Sequence, residues 1–460
     1  MNNTYLSSDI LNNSRNNRPT KDGIVIKGID FPVDLDVDIV VENVSFKQYI
    51  RFKGCKSKHL IRFVNCTFEG LVNIYQDCQF KEVHFVNCTF NSTFTVIKST
   101  IGHFTLKDNT FKKGIDTEEI SGEKLCIYGA KSDNAKFKIV KPEYKNIILS
   151  EARDNSEYIF SAYEADVNAL KRNESNTGFT YVADSQFKGS VLVAGLKLGT
   201  LSLHGHNTSG RITFQQLLVG LVNIGQFTNT GILSFANIEP DPFTGTIQCH
   251  RSNLGKCEIY DVNFALFRQI TIDNTNIQDI ITTNITWCRN VRSALIGIDA
   301  QAHLRENYRQ LKNIMIRQND KVQELAYHRQ EMNALLLAMR FNRGNRFDRF
   351  IIWSNGISNA HGLSWERAGL WLLVLTWLSY FSINYFVLGK TEKDATQIFK
   401  HIALFFESLN PVRKFNAIYD DQGKDQSASN LAYFIDVIYR FIASYLIFQF
   451  ISAFRKYVKK

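Results

Sequence analysis

The chain reads as a mainly β protein in three parts: an N-terminal parallel β-helix, an α-helical hairpin connector and a C-terminal two-helix transmembrane domain. Three observations predict this order: an internal repeat of 21 to 22 residues, a switch to helical periodicity near residue 303, and two long apolar runs in the last hundred of the 460 residues.

The repeat governs everything before residue 290. IRFVNCTF ends at Phe68 and VHFVNCTF at Phe90, 22 apart; NVSF ends 22 residues earlier at Phe46, and DNTF ends 21 later at Phe111. Cys66 and Cys88 hold matching positions, as expected where like residues of successive turns stack. The period returns in GSVLV at Gly189, GRITF at Gly210 and GILSF at Gly231, each 21 apart, and in LGTLSL at Leu198 and VGLVNI at Val219. IGHFTL at Ile101 and LGKCEI at Leu254 carry the same pattern. Within each unit apolar and polar residues alternate, with β-branched or aromatic side chains between Gly and Asn corners. A coil of short strands at that period is a β-solenoid, most simply a right-handed parallel β-helix. It is expected over residues 23–290, with an irregular insertion or lateral cap at 112–180 in which SAYEADVNALKRNES looks helical, and a disordered Asn- and Ser-rich tail at 1–22.

Residues 291–345 are expected to form the connector. Leu304, Tyr308, Leu311 and Met315 make one apolar stripe; after the polar break at 318–320, Leu325, Met332, Leu336 and Met339 make another. Two helices joined by a short turn follow.

The third part, 346–460, holds the apolar runs. Ala368 to Leu388 is 21 residues without a formal charge, and a helix of that length covers about 30 Å, the thickness of bilayer hydrocarbon. Leu431 to Phe454 is interrupted by Asp436 and Arg440. Arg340, Arg343, Arg346, Arg349 and Arg367 precede the first run, and Arg455, Lys456, Lys459 and Lys460 follow the second. Cationic flanks stay on the cytoplasmic side. Both termini are therefore expected inside, with the charge-balanced loop Gly389 to Asn430 outside. The amino terminus lacks the basic-then-apolar pattern of a secretory signal, so the body is expected in the cytosol and the spans in the inner (cytoplasmic) membrane, with inner-membrane lipid as a partner.

The net charge is +10 and the pI near 9.0. The excess concentrates between Arg289 and Arg367, where 13 Lys and Arg stand against 7 Asp and Glu, a pattern that attracts anionic lipid or an oligoanion. Arg268, Arg289 and Arg292, near the end of the solenoid, are candidate ligand-binding residues for either. Eight cysteines, none in a C-x-x-C pair, read as reduced and packed. No nucleotide-binding loop or zinc-protease motif appears. His204-x-His206 lacks a third ligand, and Cys249 beside His250 lacks an orienting acid. No metal, cofactor or catalytic residue is expected, and the chain does not read as an enzyme.

The repeat units resemble degenerate pentapeptide-repeat or β-helix coils, without the strict five-residue rhythm. The series ENYRQLKNIMIRQNDKVQELAYHRQEM, then DRFIIWSNGISNAHGLSWERAGLWLL, then a last apolar helix ending FISAFRKYVKK, resembles bacterial proteins that join such domains to a two-helix ion-channel domain. FKHIALFFESLNPVRKF stands where potassium channels of that kind carry a T-x-G-Y-G filter, so potassium selectivity is not implied. The layout is also similar to the membrane effectors of Hailong-type anti-phage defence. That resemblance implies a channel that disrupts membrane potential, gated by a nucleotide or oligonucleotide from a partner nucleotidyltransferase.

Two helices enclose no water-filled path, so a pore requires a homo-oligomer, with a tetramer as the first expectation. At 100° per residue, Asp436, Arg440, Ser444 and Ile447 share one face of the second run, while Gln449 and Ser452 lie roughly opposite. These, with Phe448, are the pore-lining candidates. Asp436 and Arg440 can pair at i, i+4 near the outer interface or form a charged ring there. Thr396 to Leu409 is either a re-entrant helix with Glu407 and Asn410 at its tip, the pore-mouth candidates, or an interfacial helix. Two other classes stay open: a membrane-tethered scaffold whose solenoid binds a protein, and a carbohydrate-active β-helix.

Overall fold

The computed structural model describes residues 18–20, 23–31, 33–132, 134–153, 155–162, 177–341, 346–387, 398–415, 418–419 and 426–455. They belong to two compact units, Met1–Ala294 and Leu295–Lys460.

The first unit is a parallel β-solenoid of about 11 turns. Its described strands run from Arg18–Thr20 to Ile281–Thr283, and the one antiparallel pairing among them joins Arg18–Thr20 to Gly23–Phe31. The offset of 21 to 22 residues sets the register: Phe46 lies beside Phe68, Phe68 beside Phe90 and Phe90 beside Phe111. Their rings stack inside the coil with centroids 5.2, 4.7 and 4.7 Å apart, and Phe63 and Phe85 form a second column at 5.0 Å. Offset-stacked aromatics at this spacing add attraction beyond their burial.

The corners explain the Asn before each repeat. Asn43, Asn65, Asn87 and Asp108 adopt φ of 58, 54, 52 and 54°, the left-handed region that Asn and Asp tolerate better than other side-chain-bearing residues. Each turns its N–H onto the next coil, Asn43 to the Val64 carbonyl and Asn65 to that of Val86, both at 3.0 Å. Asn87 Nδ2 also donates to Asn65 Oδ1 at 2.8 Å. The ladder ends at Gly129, where a Cβ would stand 2.4 Å from Asp108 Oδ1.

Within 112–180, the described residues 114–161 are not an insertion but part of the coil. Gly114–Tyr128, Lys136–Val140, Glu143–Ser150 and Glu157–Ser161 are rungs in parallel register, with Phe137 beside Ile115 and Tyr158 beside Phe137. Phe137 and Tyr158 stack at 4.4 Å. The charged residues that mask the repeat lie on the outer face and pair between coils, Lys136 with Glu157 at 3.2 Å and Lys145 with Glu123 at 3.0 Å. The expected helix in SAYEADVNALKRNES falls largely on 163–176, outside the described residues, as does the tail up to residue 17. Residues 18–20 of that tail are a strand.

In the second unit, α1 (Ile298–Arg317) and α2 (Lys321–Phe341) form the expected hairpin. Tyr308, Leu311, Met315 and Tyr327 are buried in its seam, and Lys312 Nζ lies 2.6 Å from the Glu331 carboxylate. Asp320 starts α2 by accepting the Gln323 N–H at 3.0 Å. Then follow α3 (Arg346–Asn359), α4 (Trp365–Phe381, continued by the π-helical Ser382–Val387), α5 (Ile398–Ser408) and α6 (Gln426–Phe454). Trp365–Phe386 and Asn430–Phe454 are long and apolar enough to cross a membrane. Only 22% and 28% of their most apolar stretches are buried. The core helix of a water-soluble protein would be mostly covered; here Leu370, Trp377 and Phe441 stand outward. The two helices run antiparallel: Trp365 packs on Phe450 and Phe454, with centroids 5.8 and 6.1 Å away, and Thr376 meets Tyr439.

Candidate functional site

The connection between α4 and α6 does not stay at their ends. Near its start, α5 touches the end of α4: His401 Nδ1 lies 2.9 Å from the Tyr380 hydroxyl. At its last residue it reaches the middle. Tyr439 donates its hydroxyl hydrogen to the Ser408 carbonyl at 3.0 Å, and the same hydroxyl lies 2.7 Å from Thr376 Oγ1. Thr376 is the midpoint of Trp365–Phe386, and Tyr439 lies nine residues, or ~14 Å at helical rise, into Asn430–Phe454. So α5 descends along α4 and ends halfway down.

From Leu409 to Lys414 the chain turns back in irregular backbone. Leu409 and Asn410 close the α5 terminus through N–H bonds to the Phe406 and Glu407 carbonyls at 3.2 and 3.0 Å, and Asn410 Oδ1 accepts the Val412 N–H at 3.0 Å. Phe415, Ile418 and Tyr419 then pack with Tyr380, Ile383 and Ala432 near the starting level.

Arg413 pins this ascent. Its guanidinium, 2% exposed, lies 2.6 Å from the Asp436 carboxylate, which is fully buried. Arg440, one turn along α6, binds the same carboxylate through Nε at 2.7 Å. The Arg413 guanidinium also lies 5.4 Å from the centre of the Tyr419 ring. Burial of a lone carboxylate at this position would be prohibitive; two guanidinium partners offset it. The cluster carries a formal charge of +1, since two arginines face one aspartate.

These contacts redistribute the expected roles. Asp436 is a fastening for the ascending segment and not an exposed lining group, because its carboxylate is enclosed within one chain. The expected pairing with Arg440 forms, but Arg413 joins it from the loop. Gln449 is also buried: it accepts from Asn359 Nδ2 and donates to Asn355 Oδ1 at 2.9 Å, so it joins α6 to α3. Tyr445 adds a hydroxyl bond of 2.6 Å to the same Asn355 oxygen. Ser444, Phe448 and Ser452 remain exposed, and Ile447 is half-buried. Glu407 and Asn410 are exposed at the tip of the descent. Arg413 was not singled out from the sequence, and no local pattern flags it: it lies 23 residues from Asp436.

On the solenoid, Thr271 lies beside Arg292 in the next coil, so Arg292 stands next to the strand that begins just after Arg268, while among the described residues no contact joins Arg289 to either of them. Arg292 NH1 donates to Gln269 Oε1 at 3.1 Å. All three are exposed. The position of Arg268 continues a column of Gly220 and Gly245 on earlier coils: its N–H donates to the Gly245 carbonyl at 2.9 Å. A polar groove of about 520 Å³ with Gly178, Gly199, Gly220, Thr200 and Thr246 in its walls precedes it. A Cβ on Gly220 would come within 2.6 Å of the Gly199 carbonyl oxygen, so close coil packing keeps the groove open.

His204 Nδ1 is bonded to the Gly225 carbonyl at 2.7 Å. Burial pushes the Cys249 thiol up to about 12. Among the described residues no three His, Cys, Asp or Glu side chains converge as a metal site. No family model matches the chain, and comparison with curated proteins and with solved structures likewise finds no match.

Proposed function

We propose that the chain forms an oligomeric ion channel in the bacterial inner membrane, gated by a ligand on its cytosolic part. The observation that carries this reading is the half-depth turn at Leu409 to Lys414. If α4 and α6 cross the bilayer, this non-helical segment lies inside the hydrocarbon layer, where irregular backbone is tolerated only when enclosed by protein or lining a water-filled path. Glu407 and Asn410 are exposed there on the single chain. Lipid tails would not accept a carboxylate and an amide, so the surface is best satisfied by neighbouring copies around a hydrated centre. Cyclic closure makes a tetramer the working stoichiometry. The carboxyl end of α5 points at that centre and adds partial negative charge.

The exposed cations Arg268, Arg289 and Arg292 in the last coils, with the polar groove on the preceding coils, support a multivalent anion as the ligand, such as a nucleotide or oligonucleotide. The hairpin of α1 and α2 would couple binding to the pore, and opening would dissipate the membrane potential. The role as an anti-phage effector fed by a nucleotidyltransferase rests on the similarity of layout alone. Purified protein in planar bilayers tests the reading: unitary currents appearing on addition of short oligonucleotides support it, and a bilayer silent across nucleotides and oligonucleotides counts against it.

A further inference from the structure

A groove of about 550 Å³ runs between α3 and the halves of α4 and α6 that lie toward Trp365 and Phe454. Phe350, Ile357, Trp371, Leu375, Phe441 and Leu446 form its apolar walls. The polar groups beside them are engaged elsewhere. Ser354 Oγ donates to the Ile351 carbonyl at 2.9 Å, and the Tyr445 hydroxyl to Asn355 at 2.6 Å. Ser358 differs: it is 5% exposed and its Oγ has no hydrogen-bond partner. It stands at the groove's outer end, beside the turn that leads from α3 into α4. Arg367 is exposed one turn before Trp371, on the same face of α4.

We infer that this groove holds one acyl chain of an anionic glycerophospholipid. Two of its walls are membrane-length helices, so it opens at the depth of lipid tails and not to water. Its one buried polar atom without a partner among the described residues, Ser358 Oγ, lies at the end nearest the helix termini, where the glycerol ester oxygens of a lipid would come. A guanidinium follows one turn further out, where the phosphate would lie. An apolar peptide would also fill the walls, but it would leave Ser358 and Arg367 unanswered. The inference rests on α4 and α6 crossing a bilayer, and it is independent of whether the protein conducts ions.

Full-length protein purified in mild detergent, washed to remove loosely held lipid and weighed by native mass spectrometry tests it. The wild-type chain retains one glycerophospholipid per chain, with phosphatidylglycerol enriched over phosphatidylethanolamine. Leu375→Trp, which fills the groove, loses the bound lipid. Arg367→Gln lowers the phosphatidylglycerol to phosphatidylethanolamine ratio about fivefold, the effect of one cation near a headgroup. Should Leu375→Trp not fold, Arg367→Gln, altered only at an exposed site, carries the test alone. Equal retention by the wild type and a folded Leu375→Trp variant, or an unchanged ratio in Arg367→Gln, overturns the assignment.

Discussion

In the solenoid each contact has copies above and below it: Phe68 stacks on Phe46 and on Phe90, and Asn65 turns a corner that Asn43 and Asn87 turn again. In the helical unit the decisive contacts occur once. A single carboxylate, Asp436, holds two arginines, and a single hydroxyl, Tyr439, links α4, α5 and α6. Repetition spreads the effect of a lost side chain over neighbouring rungs, whereas a singular polar contact leaves its partner buried and unpaired. Stability is therefore shared along the first unit and concentrated at a few atoms in the second.

The largest effect expected from this contrast is at Arg413. Arg413→Met leaves Asp436 with one partner in a buried site, a loss of about 3–5 kcal/mol, read by denaturation in detergent. Asp436→Leu should cost a similar amount, and the double variant should recover much of it, because the cluster's remaining charge, Arg440, is partly exposed and can turn toward water. Single variants within 1 kcal/mol of wild type would mean that water reaches the cluster and the contrast is overstated.

A rung deletion is the matching experiment on the other side. Phe90→Ala removes about 3 kcal/mol of packing, but hydrogen exchange should rise only in the coils flanking residue 90. Uniformly faster exchange over the whole solenoid would break the comparison. Next comes Asn359→Ala, which leaves Gln449 Oε1 and the Gly362 N–H without their partner and is expected to cost about 2 kcal/mol. Asn87→Ala forces a left-handed φ on alanine and should cost about 1 kcal/mol, while Asn87→Gly stays within a few tenths.

A further effect is on pH. Burial, with His328 and Arg329 nearby, holds the His361 imidazole down to about 4. The unfolded chain takes up a proton near 6.5 and the folded one does not, so the stability of the helical unit is full above pH 6.5 and declines as pH falls toward 4. His361→Gln should flatten that slope in detergent melts; an unchanged slope would assign it to other groups.

The residues differ in how openly they announced these roles. The coil period, the hairpin and both apolar helices were legible because each repeats a spacing of 22, 3.6 or a long run. Residues 112–180 were not, since charged rungs on the outer face hid inward residues such as Phe137 and Tyr158. Helical periodicity placed Asp436 and Arg440 on one face, yet it could not say which neighbour covers that face. Arg413 supplies the cover, across 23 residues with no period at all. Gln449 was equally ambiguous until α3, an unanticipated helix, took its amide.

On the proposed reading, the tip between α5 and Arg413 lines a conducting path. All eight native cysteines are buried, so a thiol introduced at the tip stands out against a quiet background. Asn410→Cys channels in planar bilayers, treated with a charged, membrane-impermeant thiol reagent, decide the matter. Block of the unitary current as the thiol reacts is the predicted result; a current that flows undiminished after complete modification would contradict it.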